Sequence, residues 1–321
     1  MKRIGLITSG GDAPGMNTAI RAVVRSADAR GVEAFGFLDG YLGLIEGRGE
    51  RITARDVGDV MHRGGTILRT ARCPEMHTPE GQAAAVASLK AEGIDGLVVI
   101  GGDGSLNGAR ALAGHGVHVV GIPASIDNDI WGTRMSLGVD SALNTIMEAI
   151  DKLRDTASSH KRAFLIETMG RDSGYLAAMA GVICGAELVV SPDHEASIDE
   201  VSSVVADAHA RGKPHCFVVV AEGARLGVDD VVAHLDQRGI GYEARVTKLG
   251  HVQRGGGPSA FDRLLASRMG VHATQALLDG ENGVMVALDG SELVLVPLDD
   301  VCSRQVEPSV TFVELSRLLA R

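Results

Sequence analysis

No run of about 18 consecutive apolar residues occurs in the chain, so nothing in it reads as a membrane-spanning helix. The opening MKRIGLITSGGDAPG has too short an apolar segment before its glycines and aspartate to be a secretory signal. Cysteine is scarce and scattered. Cys73, Cys184, Cys216 and Cys302 lack zinc-site spacing, which points to four reduced thiols rather than disulfides or metal. Basic residues are outnumbered: 31 Lys and Arg face 41 Asp and Glu, a net charge of -10. That balance excludes a general affinity for nucleic acid or anionic membrane, and an anionic ligand must meet locally clustered Arg and Lys. The expectation is a cytoplasmic globular protein. With 321 residues, 45% of them hydrophobic, the chain can bury a large core, divided between two domains.

Short β-rich apolar runs alternate with helical patterns, and Gly or Asp marks the junctions, the pattern of a parallel α/β sheet. RIGLIT, from Arg3 to Thr8, reads as a strand, SGGDAPGMN as a Gly-rich turn, and Thr18 to Arg30 as a helix. That helix carries the apolar stripe Ile20, Val23, Val24 and Ala27 and stops at Gly31. A second unit repeats the plan: GLVVI, the turn GGDGS, then a short helix through Leu112. The next strand, VHVVGIP, delivers Asp127 and Asp129 just beyond its carboxyl end, the edge where open α/β sheets bind ligands. After a long helix from about Val139 to Ser158 the alternation restarts with AFLIET, YLAAMAGVIC, AELVV, SIDEVSSVVADAHARG and CFVVVAEGA. This indicates a second doubly wound domain, with a boundary near Gly138. Near the carboxyl end, VMVALDG and SELVLVPL flank Asp-Gly-Ser as a hairpin, and a helix follows from about Thr311 to Leu319.

Both amino-terminal glycine turns end strands and open helices, where unpaired backbone amides and the helix dipole favour phosphate. Gly10 and Gly11 let the chain approach a polyphosphate closely. Neither turn is a Walker A loop, because Met16 stands where Lys is required. Tight strand-to-helix turning alone can explain glycine in one such loop; two loops, each with an embedded aspartate (Asp12, Asp103), favour nucleotide binding. Asp103, flanked by Gly102 and Gly104, is either a helix cap or a ligand of Mg²⁺, which prefers one or two carboxylates, waters and phosphate oxygens. Asp127 and Asp129 stand two residues apart just beyond the strand; one can act as a base toward a substrate while the other supports a metal.

GGDAPGMN, GGDGS, PASIDNDI, MGRDSGYLA, AEGA, LGHVQRGG and PSAFDRLLASRMG together resemble the bacterial ATP-dependent 6-phosphofructokinase family, in the family's order and from Ile4 to about Leu319. The resemblance implies an α/β fold of two doubly wound three-layer αβα domains with mostly parallel sheets. The larger, ATP-binding domain would span 1–138 with about 256–304, and the smaller 139–255 with about 305–321. It implies transfer of a phosphoryl group from MgATP to the 1-hydroxyl of fructose 6-phosphate. Asp127 matches the catalytic base, and Arg72 and Arg171 the arginines that stabilise the transferring group. Asp103 matches the Mg²⁺ ligand, and Asp129 the residue that supports the metal and Asp127. Ser125 stands where the family usually has Thr, and its hydroxyl can still donate to phosphoryl oxygens.

By the same resemblance Arg162, Arg245, His251 and Arg254 hold the sugar phosphate, with Met169, Gly170, Arg171 and Glu222 shaping the sugar site. Arg162 and Arg245 reach across a subunit interface in the family, which implies a homotetramer. Gly11, Tyr41, Arg72, Cys73, Gly102, Asp103, Gly104 and Ser105 match ATP contacts, while Met76 and His77 replace an aromatic and a basic residue beside the adenine. Arg21 and Arg25, i and i+4 on the first helix, share a face. With Arg55, Arg154, Gly185, Glu187, Arg211, Lys213 and His215 they match the effector site, where ADP or phosphoenolpyruvate binds; Arg55 replaces a residue that is often aromatic there. Pyrophosphate-dependent members typically carry Asp in place of Gly104 and Lys in place of Ala124, so Gly104 favours ATP. The alternatives are a pyrophosphate-dependent enzyme, a lipid or NAD kinase sharing GGDG, and a nucleotide-sensing homologue with weak catalysis.

Overall fold

The computed structural model describes residues 1–320. They form two compact units, Met1–Ser141 with Arg254–Val306, and Ala142–Gln253 with the described residues from Glu307 on. The chain begins in the first unit with β1 (Arg3–Ser9), α1 (Met16–Asp28), β2 (Glu33–Phe37), α2 (Gly40–Ile45), β3 (Gly49–Ile52) and α3 (Pro79–Ala91). There follow β4 (Gly96–Gly101), α4 (Asp103–Gly114), β5 (Val119–Pro123) and the long α5 (Val139–His160). The second unit holds β6 (Arg162–Thr168), α6 (Tyr175–Cys184), β7 (Leu188–Val190), α7 (Ile198–Ala210), β8 (Cys216–Ala221), α8 (Val228–Arg238) and β9 (Glu243–Lys248). The chain returns to the first through α9 (Ala260–Leu278), β10 (Val284–Asp289), β11 (Glu292–Pro297) and α10 (Leu298–Ser303), and α11 (Val310–Leu319) lies back in the second.

The first sheet runs β11-β10-β5-β4-β1-β2-β3, parallel except at its two ends, where β11 and β3 are antiparallel to their neighbours. Its central strands are buried and largely apolar because both faces are covered: every residue of β4 is buried. α1 and α9 pack together on one face, and α2, α3, α4 and α10 cover the other. On the latter side Ile7, Phe37, Leu97, Val99 and Leu106 form the centre of the core, with the Phe35 and Phe37 rings edge to face at 5.0 Å. The second sheet, β7-β8-β6-β9, is wholly parallel. Both units are thus α/β, with the layering and mostly parallel strands expected from the sequence. The carboxyl-terminal hairpin is present, and β10 joins the first sheet by pairing with β5. All four cysteines are unbridged thiols.

Within the first unit a buried carboxylate ties three helix starts together. Asp262, at 0% exposure, accepts hydrogen bonds from Gly138 N (3.0 Å), Ser141 N (2.9 Å) and Ser141 Oγ (2.6 Å) at the start of α5. Its own N–H donates to the cap residue of α9, Ser259, at Oγ (3.2 Å). Gly15, which opens α1, packs against Asp262. Burial raises the Asp262 pKa, and these hydrogen bonds oppose that rise. Asp262→Ala leaves buried donors without an acceptor and is expected to lower the unfolding free energy by about 3 kcal/mol, as read by chemical denaturation.

Candidate functional site

Strand register gathers the amino-terminal motifs. Ser9 is paired with Gly101, and Gly101 with Pro123, so the carboxyl ends of β1, β4 and β5 form one row. From that row emerge the Gly10–Gly15 turn, the start of α4 and the Ser125–Asp129 segment. Gly10 (φ 83°) and Gly15 (φ 104°) take left-handed backbone, which glycine adopts without steric cost. Thr70 Oγ1 fixes the turn by donating to Gly10 O (2.7 Å). α4 starts directly after β4, capped by Gly102 with no side-chain cap. Exposed Asp103 is its first residue and receives Asn107 Nδ2 at Oδ1 (3.2 Å). Gly104 beside it opens on space: a Cβ there meets nothing within 4 Å. The side chains of Ser105 and Tyr41 are committed to structure beneath this turn. Ser105 Oγ fills the room left by Gly10 and Gly101. Tyr41, 3% exposed, donates to Ser105 O (2.7 Å), and burial lifts its hydroxyl pKa well above the usual range.

Beyond β5 the chain bends at once rather than continuing extended, so strand geometry does not set the directions of Asp127 and Asp129. Ile126 and Asp127 form a turn, and Asn128 is left-handed at φ 50°. Ser125 Oγ accepts from Asp127 N (3.2 Å) and donates to Asp129 Oδ1 (3.2 Å), so one hydroxyl organises both acids. Asp127 is 2% exposed. The segment after the turn braces it: Ser136 Oγ donates to Ser125 O (2.7 Å), and Ser136 N donates to Asn128 Oδ1 (3.1 Å). Arg72 and His77 are exposed, Cys73 is half-buried with its pKa raised by burial, and Met76 lies within the hydrophobic core. Arg254 also belongs to this unit and lies against Gly11.

The second unit presents its own constellation. β6, β8 and β9 end together, Thr168 paired with Ala221 and Glu167 with Lys248. Past those ends lie Met169–Arg171, Glu222 and His251. The Glu222 carboxylate accepts both Gly170 N (3.2 Å) and Arg171 N (2.9 Å) at Oε1. It thereby holds Gly170 at φ 138° and Arg171 at φ 50°, a conformation costly for a non-glycine residue unless its surroundings enforce it. Buried Gln253, which the sequence reading did not single out within LGHVQRGG, accepts Met169 N at Oε1 (3.2 Å) and donates to Gly250 O (2.9 Å). Arg162 and Arg245 are elsewhere. Arg162 opens β6, about 20 Å along the strand from Thr168. Arg245 pairs in register with Phe164, and Glu243 bridges both arginines, 2.7 Å from Arg162 Nε and in contact with Arg245.

The family model for phosphofructokinase matches residues 3–277. The chain belongs to the phosphofructokinase family. An ATP-dependent 6-phosphofructokinase of Thermotoga neapolitana is 52% identical over 321 residues, all of both chains. One from Bacillus subtilis is 51% identical over 294 residues, 92% of each. Among solved structures, Pichia pastoris phosphofructokinase in the T-state superposes with a TM-score of 0.90 at 37% identity, over 94% of this chain and 35% of that one. A pyrophosphate-dependent phosphofructokinase of Marinobacter aquaeolei shares the fold, with a TM-score of 0.88 at 19% identity over 97% and 86%.

The residues that this phosphofructokinase chain shares with the effector pattern fall in both units. Arg21 and Arg25 project from α1, and exposed Arg55 follows β3, in the first. In the second, Arg154 of α5 reaches the end of α6 and contacts Cys184 O beside the left-handed Gly185. Arg154 Nη1 donates to His215 Nε2 (3.2 Å), leaving Nδ1–H to donate to Ser158 Oγ (2.9 Å). Burial and then the neighbouring Arg154 charge lower the His215 pKa. Lys213 pairs with buried Glu187 (3.1 Å) and Arg211 with Asp207 (2.8 Å). Glu187 and Arg211 line a cavity of ≈ 380 Å³. No described helix is long and apolar enough to cross a membrane.

Proposed function

We propose that the chain transfers the terminal phosphoryl group of ATP to the 1-hydroxyl of fructose 6-phosphate, giving fructose 1,6-bisphosphate and ADP, in the cytoplasm. The observation that carries this reading is the buried Asp127 carboxylate in a turn organised by Ser125, on the same sheet edge as two glycine-opened helix starts. Asp127 accepts the proton of the attacking hydroxyl as the phosphoryl group moves in line. The first turn of α4, with Gly102, Gly104 and Ser105, holds phosphate through backbone N–H groups, and Gly11 admits it closely. Cys73 and exposed His77 face the nucleotide, while Met76 is held in the core. Arg72 and Arg171 offset charge on the transferring group. Glu222 supports Arg171 by fixing its backbone.

No group of three or more His, Cys, Asp or Glu residues able to hold a metal occurs among the described residues. An exposed Asp103 with a second carboxylate, Asp129, suits Mg²⁺, whose remaining ligands are waters and phosphate oxygens. These two would hold the ion, which supplies charge neutralisation to the phosphates when bound.

Arg254, His251, Arg162 and Arg245 bind the sugar phosphate. Because Arg162 and Arg245 stand at the far end of β6 and β9 from Met169–Arg171, we assign them to the site of a neighbouring subunit in a homotetramer. The cluster of Arg154, Gly185, Glu187, Arg211, Lys213 and His215 takes an anionic effector, ADP or phosphoenolpyruvate, at a subunit interface to which Arg21, Arg25 and Arg55 are also assigned. Arg154→Ala removes the donor to His215 and is expected to abolish the response of fructose 6-phosphate cooperativity to phosphoenolpyruvate. Substrate saturation curves with and without the effector check this.

The test of the reaction is turnover of fructose 6-phosphate with Mg²⁺ and either ATP or pyrophosphate. Turnover with ATP alone is the expected result; turnover with pyrophosphate would make the chain a pyrophosphate-dependent enzyme, and none with either would overturn the reading. The fold likeness to a pyrophosphate-dependent enzyme makes that comparison necessary.

A further inference from the structure

Arg254 follows the short helical turn Gly250–Gln253 and precedes three glycines. Close backbone approaches fix this run in the first unit. A Cβ on Gly64 would lie 2.2 Å from Gly256 O, and one on Gly257 would lie 2.5 Å from His62 O, so both contacts require glycine. The His62–Gly64 segment is held in turn by α1. Buried Asn17 donates from Nδ2 to the carbonyls of Arg63 and Gly64, each 3.1 Å, and accepts Ile67 N at 2.7 Å. α1 is the helix that the Gly10–Gly15 turn opens.

The third approach is at Gly11 itself. A Cβ there would stand 2.3 Å from Arg254 Nη1 and 3.1 Å from Cζ. Gly11 is not among the residues with left-handed backbone, so the position needs the missing Cβ rather than backbone freedom. Arg254 Nε is buried and has no hydrogen-bond partner among the described residues. The guanidinium tip thus occupies the room left by the bare Cα of Gly11.

We propose that Gly11 is a positioning residue for Arg254: its missing side chain gives the guanidinium the place from which it binds the acceptor's phosphate. The glycine turn read as part of the donor site thereby sets affinity for the sugar phosphate as well. This deepens, and rests on, the reading of Arg254 as an acceptor ligand. An alanine methyl at position 11 meets the tip of a flexible side chain, so the arginine moves and the backbone does not.

The experiment is a double-mutant cycle on KM for fructose 6-phosphate at saturating ATP. Gly11→Ala is expected to raise that KM about tenfold or more, the loss of one charge-assisted hydrogen bond, with an unchanged unfolding midpoint. In an Arg254→Ala background the same substitution is expected to change it by less than about twofold, because the methyl then fills vacated space. If Arg254→Ala raises KM beyond measurement, Arg254→Lys, which lacks the branched Nη group, gives the same comparison. An equal effect of Gly11→Ala in both backgrounds, an effect on the ATP KM alone, or a lowered unfolding midpoint would overturn the proposal. Failure of the unaltered protein to phosphorylate fructose 6-phosphate would instead overturn the reaction assigned above.

Discussion

Asp127→Ala is expected to lower kcat by about 10³-fold, within the range that a positioned general base contributes, with KM values for both substrates nearly unchanged. The fold should survive. The turn around Asp127 is held by its backbone N–H on Ser125 Oγ and by Ser136 bonded to Ser125 and Asn128, none of which involves the Asp127 side chain. Asp129 keeps its own bond from Ser125. Steady-state kinetics with a thermal melt as control check this. A kcat within tenfold of the unaltered enzyme would mean that another group takes the proton.

Gly104→Asp is expected to raise the ATP KM at least tenfold. The position offers open space and ordinary helical backbone at the start of α4, and an acidic residue in the first turn suits the helix dipole, so stability should hold or rise slightly. The added charge faces the place assigned to the nucleotide phosphates. Two like charges about 4 Å apart repel by about 1 kcal/mol in water and about 4 kcal/mol near a protein surface, which spans the expected change. An unchanged ATP KM would detach the phosphates from α4. The structure makes this variant informative: substitution at Gly101 instead would drive a Cβ to 2.4 Å from Ser9 O and disrupt the row itself.

The sequence made the inner parallel strands legible where they are buried on both faces and apolar, as in GLVVIG and CFVVVA; the parallel edge strand β9, EARVTK, is largely exposed and carries no such run. It did not disclose β3, whose four residues include one buried apolar side chain, Ile52. α9 was also missed as a helix. Much of its buried face is Ala, Gly and Thr rather than large apolar residues, because Gly270 crosses α1 so closely that a Cβ would meet Ala22 Cβ at 2.6 Å. The candidate site was legible as motifs, and strand register supplies the reason they meet. What the motifs did not convey is each side chain's duty. Tyr41 has its hydroxyl bonded beneath α4, Glu222 engages two backbone amides, and Gln253 holds Met169, because hydrogen-bond partners distant in sequence leave no local pattern.

The pairing of Ser9 with Gly101 and of Gly101 with Pro123 also governs where this chain can change length. One residue inserted into β1, β4 or β5 would advance the following loop by about 3.3 Å and turn every later side chain to the opposite face. Three loops must then be re-registered together to recover a working edge. The antiparallel margins at β3 and β11 carry no such shared obligation, so natural insertions and grafted sequences belong at the sheet's borders, while its middle strands keep a fixed count.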